Sequence, residues 1–362
     1  MSRIILFATV PCFYATVEAS QRADLRGRPI LVGGDPRKRG LVQSASRRAL
    51  DAGVVLDMPM LEALRVCPKA RALRTDMPLY REQSRRLFTC MRRGSGLLES
   101  FGLGAAWFDV TDASEAPEAI AGALRQRVRE ELDLPLATGI AGSKFVARLA
   151  AEEAGREAEA ADASGIRRIP EGGEAAFLQP LPVTRLEGVG RKTAAALAEF
   201  GAQTIGDVVG LGRERLEEAF GSHGLRIHSL ACAQDAAPVR GSRHPQSLSR
   251  EVSIRGEQGD RAVLEEHLQD LARHLADELG RQGLSAGRVV LKVRYADQGT
   301  HSRSRTLGGS VALSSQIHEY ALALLEKTQA GPRPVRGLGL QLGLLAPAAE
   351  ANRQLDLFSP RR

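Results

Sequence analysis

The sequence predicts a multi-domain α+β protein, and three stretches of the chain indicate this class. Residues 1–155 alternate between short apolar strands and amphipathic helices. Residues 166–236 have a mainly helical pattern, whereas residues 248–346 follow a compact βαββαβ pattern. The chain has 362 residues and a hydrophobic content of 43%, which is enough for two or more domains with well-buried cores.

The elements predicted for the N-terminal half are short apolar runs and amphipathic stretches bounded by turn residues. They are strands at 4–10, 28–34 and 40–46, helices after Pro59 and at 80–91 and 114–132, and a strand turning into a helix at 138–150. A run rich in Glu and Ala at 152–163 predicts a loosely held connector.

The elements predicted for the C-terminal third alternate in the same way, after a polar linker at 237–247. They are strands near 249–254, 287–296, 301–308 and 336–345, and helices near 259–281 and 314–329. Residues 347–362 contain Ala and Pro and are predicted to be a disordered tail.

The chain is basic, with a net charge of +7 and a pI of about 9.6. This balance favours an anionic partner such as nucleic acid. Of the 50 basic residues, 44 are arginine and 6 are lysine, and coding bias is an alternative explanation of this skew. The four cysteines have no metal-ligand spacing, which favours a reducing cytoplasm. No stretch is long and apolar enough to predict a membrane span.

Two motifs resemble those of Y-family DNA polymerases, the lesion-bypass enzymes. Residues Phe13–Glu18 are similar to the family's Phe-Tyr-Ala-Ser-Val-Glu. Residues Glu99–Thr111 resemble the family's Ser-Leu-Asp-Glu-Ala-Tyr-Leu-Asp-Val-Thr, with Asp109, Val110 and Thr111 matching. The resemblance extends over roughly residues 1–346. The family members that the chain resembles are of the DinB and UmuC type.

The resemblance implies the family's right-hand architecture of palm, fingers, thumb and little finger. The implied domains are a palm at 1–12 and 79–155, fingers at 13–78, a thumb with a helix-hairpin-helix at 163–236, a linker at 237–247, a little finger at 248–346, and a tail with a clamp-binding motif at 347–362.

The carboxylates that hold the family's two metal ions are missing in the same alignment frame. Their positions are occupied by Thr9, Gly104 and Ala105, so the frame predicts no catalytic residue and no metal site. Asp109 and Glu18 are the alternative ligands nearby, but both match acidic positions that ordinary family members carry beside the metal ligands. Because it lacks these carboxylates, the chain resembles the ImuB group of non-catalytic family members.

The residues that would contact a nucleotide are altered as well. The family's Tyr-x-x-Arg pair falls on Arg47 and Leu50, and its phosphate-binding lysine aligns with Arg148. Tyr14 takes the place of the aromatic residue that excludes ribonucleotides, and its alternative role is that of a core aromatic. Tyr14, Arg47 and Arg148 therefore form the expected remnant of a nucleotide pocket.

Features that bind DNA are retained in the sequence. Gly188, Val189 and Gly190, with Lys192, predict a helix-hairpin-helix whose backbone amides approach a DNA phosphate. In the last domain, basic residues recur with a period of two along two strands, which predicts a basic sheet face that follows a duplex backbone. A solvated outer face is the alternative. The residues assigned to this second surface are Arg250, Lys292, Arg294, Arg303 and Arg305.

The tail carries Gln354, Leu355, Asp356, Leu357 and Phe358, which resemble the pentapeptide that binds the bacterial sliding clamp. Two adjacent apolar anchors on a mobile segment suit a hydrophobic pocket, and each contributes about 1.5–3 kcal/mol when buried. Docking onto the chain's own domain is the alternative. The sequence therefore predicts the sliding clamp (beta) as a partner.

Three functions are compatible with these observations. The first is a non-catalytic scaffold in translesion synthesis that binds primer–template DNA without sequence preference and needs no cofactor. The resemblance adds an error-prone C-family polymerase and a RecA-like accessory protein as its partners. The second is an active error-prone polymerase with a non-standard site, which alone would require Mg²⁺. The third is a binding module that occupies clamp and primer end.

Overall fold

The computed structural model describes residues 2–93, 97–157, 164–241, 246–297 and 299–348. The chain divides into two compact units, Met1–Ser242 and Arg243–Arg362. Both units combine helices with sheets, so the predicted α+β class is confirmed. Among the described helices, none is both long and apolar enough to cross a membrane.

The first unit contains two sheets and a helical region. Its described strands are β1 Ile5–Thr9, β2 Ile30–Gly33, β3 Val42–Ala45, β4 Arg71–Arg74, β5 Leu98–Phe101, β6 Ala105–Asp109, β7 Ala137–Ala141 and β8 Ile166–Arg168. Its described α-helices are α1 Phe13–Gln21, α2 Arg47–Asp51, α3 Met60–Val66, α4 Met77–Arg92, α5 Pro117–Leu132, α6 Lys144–Glu157, α7 Glu174–Leu178, α8 Arg191–Glu199, α9 Ile205–Leu211, α10 Arg213–Phe220 and α11 Ser222–Ala231.

A five-stranded sheet in the order β5-β6-β1-β7-β8 forms the centre of the first unit. Strand β1 is antiparallel to both β6 and β7. Because side chains alternate along a strand, Leu6 and Phe108 pack into a core with α4 and α5, whereas Phe7 and Trp107 lie on the opposite face with α6. Strand β1 thus has buried side chains on both faces, as its continuous apolar run predicts.

A three-stranded sheet in the order β3-β2-β4 forms a smaller subdomain. Strand β2 is antiparallel to β3 and parallel to β4. Leu31 and Val42 from the strands pack with Met60 and Ala63 from α3, and all four are buried. This core is separate from the two cores of the central sheet.

The helical region follows β8 and comprises α7 to α11. Strand β8 pairs in parallel with β7, so residues 166–168 belong to the central sheet and not to the helical region predicted at 166–236. Helix α9 begins with a capping box, in which Thr204 accepts from the Asp207 amide and Asp207 accepts from the Thr204 amide.

The second unit is a four-stranded antiparallel sheet in the order β11-β10-β12-β9 with two helices. Its elements are β9 Ser247–Gln258, α12 Arg261–Gln282, β10 Leu284–Tyr295, β11 Thr300–Val311, α13 Ser314–Leu325 and β12 Val335–Pro347. This order matches the predicted βαββαβ pattern. Buried Val289, Leu291 and Val293 of β10 pack with Leu268 of α12 and Ile317 of α13.

Candidate active site and nucleic-acid interface

The register of β1 against β6 brings together the three positions where the family carries its metal-binding carboxylates. Thr9 lies directly opposite Ala105, and the Val10 amide donates to the Gly104 carbonyl oxygen at 2.8 Å. The three positions that the motif alignment identified, Thr9, Gly104 and Ala105, therefore lie next to one another in the fold. A hydroxyl, a hydrogen atom and a methyl group stand there, and none of them carries charge.

The space beside Gly104 is filled by an aromatic ring. Gly104 is buried, and a Cβ atom at this position would lie 2.7 Å from Cδ2 and 2.8 Å from Cγ of Phe13. Such distances require the ring to move, because atoms in a packed interior do not approach this closely. The site thus lacks the carboxylate, and a side chain at position 104 would require the Phe13 ring to shift.

Asp109 does not replace the missing ligands, because it lies at the other end of the same strand. It is opposite Ile5, about 13 Å along the strand from Ala105 at ~3.3 Å per residue. Its Oδ1 atom accepts from the Thr111 amide at 3.1 Å and from the Thr111 hydroxyl at 2.5 Å. The Thr111 hydroxyl oxygen in turn accepts from the Ile4 amide, so Asp109 fastens the strand end.

Glu18 likewise does not replace the missing ligands, because its carboxylate is bound by other side chains. Its side chain is 1% exposed, accepts from the Tyr80 hydroxyl at 2.7 Å and pairs with Arg22 at 3.2 Å. Burial and the bond to this carboxylate raise the pKa of Tyr80 well above its usual range. Within the described residues, no three acidic, histidine or cysteine side chains come together as a metal site. The residues present therefore do not fit the family's pair of divalent ions.

A cavity of about 760 Å³ lies beside this strand end and is lined by residues from Thr9 to Cys12. Arg47 lines it and pairs with Asp51 at 2.7 Å. Arg148 is outside the lining; it is largely buried and pairs with Glu152 at 2.8 Å. Tyr14 is also outside the lining, and its ring stacks on Tyr80 with centroids 4.3 Å apart. Of the predicted nucleotide remnant, Arg47 alone reaches the cavity.

An aromatic cluster that the sequence did not predict lies on the sheet face that Ala105 shares with Trp107. The Trp107 ring is 4.9 Å from both Phe7 and Phe101, and its Nε1 donates to the Lys144 carbonyl. The Lys144 ammonium lies 4.3 Å from the Trp107 centroid and 2.8 Å from a Glu99 carboxylate oxygen. This face is thus closed by apolar groups and a neutralised ion pair.

The glycine hairpin combines a glycine in the left-handed backbone region with a helix N-terminus. Gly188 is exposed with φ +89°, a backbone region that favours glycine, and Gly190 is the residue before α8. Val189 between them is buried, while Lys192 is exposed. The amides of the first turn of α8 have no helical partner and are positioned to meet an anion. The element before the hairpin is a 3₁₀ turn, Val183–Arg185, where the sequence predicted a helix.

The predicted single basic face of the second unit is wrong, because the two strands direct their basic residues to opposite faces. Opposed residues on paired strands share a face. Arg303 opposes buried Leu291, and Arg305 opposes buried Val289, so both lie on the helix side of the sheet. The Arg303 Nε donates to the Lys327 carbonyl, and the Arg305 guanidinium lies 5.1 Å from the Tyr320 ring centroid.

Lys292 and Arg294 lie on the other face of this sheet, which neither α12 nor α13 covers. They oppose Gly339 and Gly337 of β12, and they pair with Glu251 at 3.0 Å and 3.5 Å. Small residues dominate this open face, since the neighbouring strands present glycine and serine there. The residues are Ser249, Ser253, Ser302, Ser304, Gly337 and Gly339.

Arg250 is exposed on the edge strand β9 and opposes buried Leu340, so it belongs to the helix side with Arg303 and Arg305. The predicted DNA-binding residues of this unit are therefore split between an open face and two sheet edges. The predicted clamp motif, Gln354 to Phe358, lies outside the described residues.

Comparison with known proteins agrees with this fold along the whole chain. Residues 9–152 match the impB/mucB/samB family, and residues 245–357 match the impB/mucB/samB family C-terminal domain. The chain is 35% identical over 360 residues to DNA polymerase IV of Alkalilimnicola ehrlichii, covering 98% of this chain and 99% of that protein. It is 32% identical to DNA polymerase IV 1 of Bacillus subtilis, covering 99% and 86%.

Solved structures share the architecture at lower identity. A Y-family DNA polymerase chimera of Dbh and Dpo4 has a TM-score of 0.78 at 21% identity, covering 94% of this chain and 98% of that one. An insertion ternary complex of Dbh DNA polymerase has a TM-score of 0.70 with the same coverage. The chain therefore belongs to the impB/mucB/samB family, within the Y-family of DNA polymerases.

Proposed function

We propose that this chain is a non-catalytic Y-family protein that binds primer–template DNA and acts as an accessory scaffold in translesion synthesis and DNA repair. The observation that carries the proposal is the strand end where Thr9 opposes Ala105 and the Phe13 ring occupies the space beside Gly104. Catalysis by this fold requires carboxylates at these positions, and DNA binding does not.

The physical reason is the mutual repulsion of the two metal ions. Two divalent cations held ~4 Å apart repel by roughly 17 kcal/mol at an effective dielectric of 20. Substrate phosphates supply part of the counter-charge, and protein carboxylates must supply the rest. Asp109 and Glu18, the acidic candidates of these motifs, are held by Thr111 and by Tyr80 with Arg22.

DNA binding is supported by the hairpin at Gly188–Gly190 and by the open sheet face with Lys292 and Arg294. Both surfaces offer backbone amides or cations, which contact phosphates without reading bases. We therefore expect sequence-independent binding to a duplex with a primer end. Solved structures with the same fold include an insertion complex and a post-insertion complex of Dbh DNA polymerase, which is consistent with this role.

Recruitment to the replication machinery is proposed through the tail. The pentapeptide from Gln354 to Phe358 would hold the sliding clamp, and DNA binding nearby would raise its effective concentration. An error-prone C-family polymerase and a RecA-like accessory protein would then act on the primer that this chain retains. This role places the protein at the nucleoid in a bacterial cytoplasm.

An active error-prone polymerase with a non-standard metal site is the second candidate. It is favoured by the full-length similarity to proteins named DNA polymerase IV, at 35% identity over 98% of the chain. This candidate requires Mg²⁺, whereas the scaffold does not.

Primer extension with purified protein separates the two candidates. With clamp, primer–template and Mg²⁺ or Mn²⁺, we expect no extension beyond the level of a matched Asp109→Ala variant. Extension by the wild-type chain that the Asp109→Ala variant lacks would contradict the proposal and support the second candidate. Equal extension in both proteins would show that the activity does not depend on Asp109, and a fraction purified identically from cells that lack this chain is the control that identifies a contaminating polymerase.

Clamp retention is tested separately on DNA-bound protein. Leu357→Ala combined with Phe358→Ala removes both apolar anchors, so we expect the loss of clamp binding with DNA affinity changed less than twofold. Unchanged retention, measured by surface plasmon resonance on immobilised clamp, would exclude the tail as the clamp contact.

A further inference from the structure

The exposed side of α4 carries an excess of arginine that the proposed function does not use. Six residues of this helix are exposed, and four of them are arginine. The one acidic residue within the helix is Glu82, which pairs with Arg85. The other three arginines have no ion pair among the described residues. The six exposed residues are Pro78, Arg81, Arg85, Arg86, Thr89 and Arg92.

Three of these arginines form a straight row along the helix. At 3.6 residues per turn, Arg81, Arg85 and Arg92 point within about 40° of one another and span about 16 Å. We call these three residues the arginine row. Like charges at positions i and i+4 destabilise a helix, so the spacing of Arg81 and Arg85 does not serve the stability of α4.

Helix α12 carries exposed arginines in a different arrangement. Arg261, Arg273 and Arg281 each pair with an acidic residue three or four positions away on the same helix. Such pairs neutralise the charge and support the helix. The arginine row of α4 has one such pair for three charges. Most of its charge is therefore available to an anion outside the chain.

The arginine row and the glycine hairpin belong to opposite sides of the central sheet. Tyr80 and Leu87 of α4 pack into the core on the sheet face of Leu6, whereas Val189 of the hairpin packs into the core on the face of Phe7. The arginine row lies on the outer side of α4, because the helix buries its other side against the sheet. A duplex held at the hairpin therefore does not account for the row.

We propose that the arginine row binds the phosphate backbone of a second DNA duplex, so that the chain bridges two duplex segments. Backbone contact needs only cations. A protein partner would need a large apolar or aromatic anchor, and a single strand would need an aromatic ring on which its bases stack. The other exposed residues of α4 are Pro78 and Thr89, which supply neither.

The two duplex segments depend on different parts of this account. The first segment is the one that the proposed function assigns to the hairpin, so bridging rests on that function. The second segment depends on the arginine row alone. Its binding should fall steeply as salt is raised, because each cation that contacts a phosphate releases a counterion.

A bridging assay with the full chain tests the proposal. A biotinylated duplex on beads is saturated with the protein, unbound protein is washed away, and a fluorescent duplex of unrelated sequence is added. We expect the wild-type chain to recover the second duplex in a salt-dependent manner. Capture of the first duplex without recovery of the second would overturn the inference alone. Absence of any capture would contradict the proposed DNA binding as well.

A triple variant assigns the bridging to α4. Arg81→Ala, Arg85→Ala and Arg92→Ala together should lower recovery of the second duplex about fivefold or more. Capture of the first duplex should change less than about twofold, and this measurement also shows that the variant is folded, since alanine is compatible with the helix. Full recovery of the second duplex by this variant would refute the row.

The matched control removes three exposed arginines from α12 instead. Arg261→Ala, Arg273→Ala and Arg281→Ala together remove the same formal charge from a helix whose arginines are paired. We expect recovery of the second duplex to change less than about twofold. Equal losses in the two triple variants would show nonspecific attraction and overturn the assignment to α4.

Two further arms test the chemistry of the contact. Arg81→Lys, Arg85→Lys and Arg92→Lys together keep the charge, so recovery should stay within about threefold of the wild-type level. A loss equal to that of the alanine variant would contradict binding through charge. Fluorescent polyglutamate offered in place of the second duplex represents an acidic protein segment. Recovery of polyglutamate in preference to DNA would overturn the choice of a duplex as the partner.

Discussion

The strand end at Thr9, Gly104 and Ala105 and the hairpin at Gly188–Gly190 differ in what their chemistry requires. Metal binding depends on side-chain carboxylates, and the three aligned positions hold threonine, glycine and alanine instead. Phosphate binding at the hairpin depends on backbone amides and on a glycine with φ +89°, and both are present. The difference teaches that the two features rest on different atoms, side-chain oxygens in one and backbone amides in the other, so a sequence change at one need not affect the other.

The largest expected effect is the cost of returning an acid to the strand end. Gly104→Asp would place a side chain against the Phe13 ring and bury a charge without a partner. We expect it to lower the free energy of unfolding by about 3 kcal/mol or more, measured by urea denaturation. Thr9→Asp, at a half-buried position lining the cavity, is the control and should cost under about 1 kcal/mol.

The Gly104→Asp result also bears on the comparison itself. Unchanged stability would show that the strand end still accommodates a carboxylate. The only remaining evidence that the strand end differs from the hairpin would then be the missing acidic residues in the sequence. Gly104→Asp combined with Phe13→Ala should recover part of the steric loss, because it removes the ring that a Cβ would meet.

The hairpin is broken most specifically at Gly188. A Cβ atom there would lie 2.8 Å from the His223 ring, and its φ of +89° is strained for alanine. Gly188→Ala should cost about 1–2 kcal/mol of unfolding free energy and about tenfold in DNA affinity, measured by fluorescence anisotropy. Gly210→Ala in α9 meets nothing within 4 Å and should leave both quantities unchanged or slightly improved. Normal DNA affinity in Gly188→Ala would remove the hairpin from the interface.

The sheet of the second unit differs from the hairpin, because its proposed phosphate contacts are side-chain cations. Lys292→Ala with Arg294→Ala should weaken DNA binding about fivefold to tenfold and reduce the magnitude of the log–log salt slope by about 2. Glu251→Ala, which releases both cations from their ion pairs, should strengthen binding about twofold. A salt slope that does not respond to either change would exclude the open face from phosphate contact.

The smallest expected effect is on the helix side of this sheet. Arg303→Ala with Arg305→Ala should change DNA affinity about twofold and lower the free energy of unfolding by about 0.5–1 kcal/mol, because Arg305 stacks on Tyr320. A loss of DNA affinity equal to that of the Lys292 and Arg294 pair would show that the two faces act together.

Much of the fold was predictable because hydrophobic periodicity determines its elements. The first strand was predicted at 4–10 and found at Ile5–Thr9, and the strand predicted near 287–296 was found at Leu284–Tyr295. The short strand β8 was missed, since three residues are too few to show a period.

The two-faced arrangement of β10 and β11 was not predictable in the same way. In β10, Val289, Leu291 and Val293 identify the buried face by alternation. In β11, both faces are polar from Thr300 to Thr306, so no apolar pattern shows which face the helices cover, and only the pairing register decides.

The missing carboxylates of the candidate site could be predicted from the sequence, but the side chains that surround the site could not. Motif alignment identified Thr9, Gly104 and Ala105, because a missing carboxylate is visible in the sequence itself. The Phe13 ring against Gly104 comes from tertiary packing between segments distant in sequence. The same holds for the cavity beside Thr9, whose arginines come from α2, α5, α6 and the chain between α1 and β2.

Electron paramagnetic resonance of Mn²⁺ with primer–template and a deoxynucleoside triphosphate tests the central claim most directly. A working polymerase site holds two ions ~3.5–4 Å apart, which produces a spin-coupled pair. Without acidic ligands at the strand end, we expect only the uncoupled signal of Mn²⁺ bound to nucleotide or water. A coupled pair at a stoichiometry of two ions per chain would contradict the account.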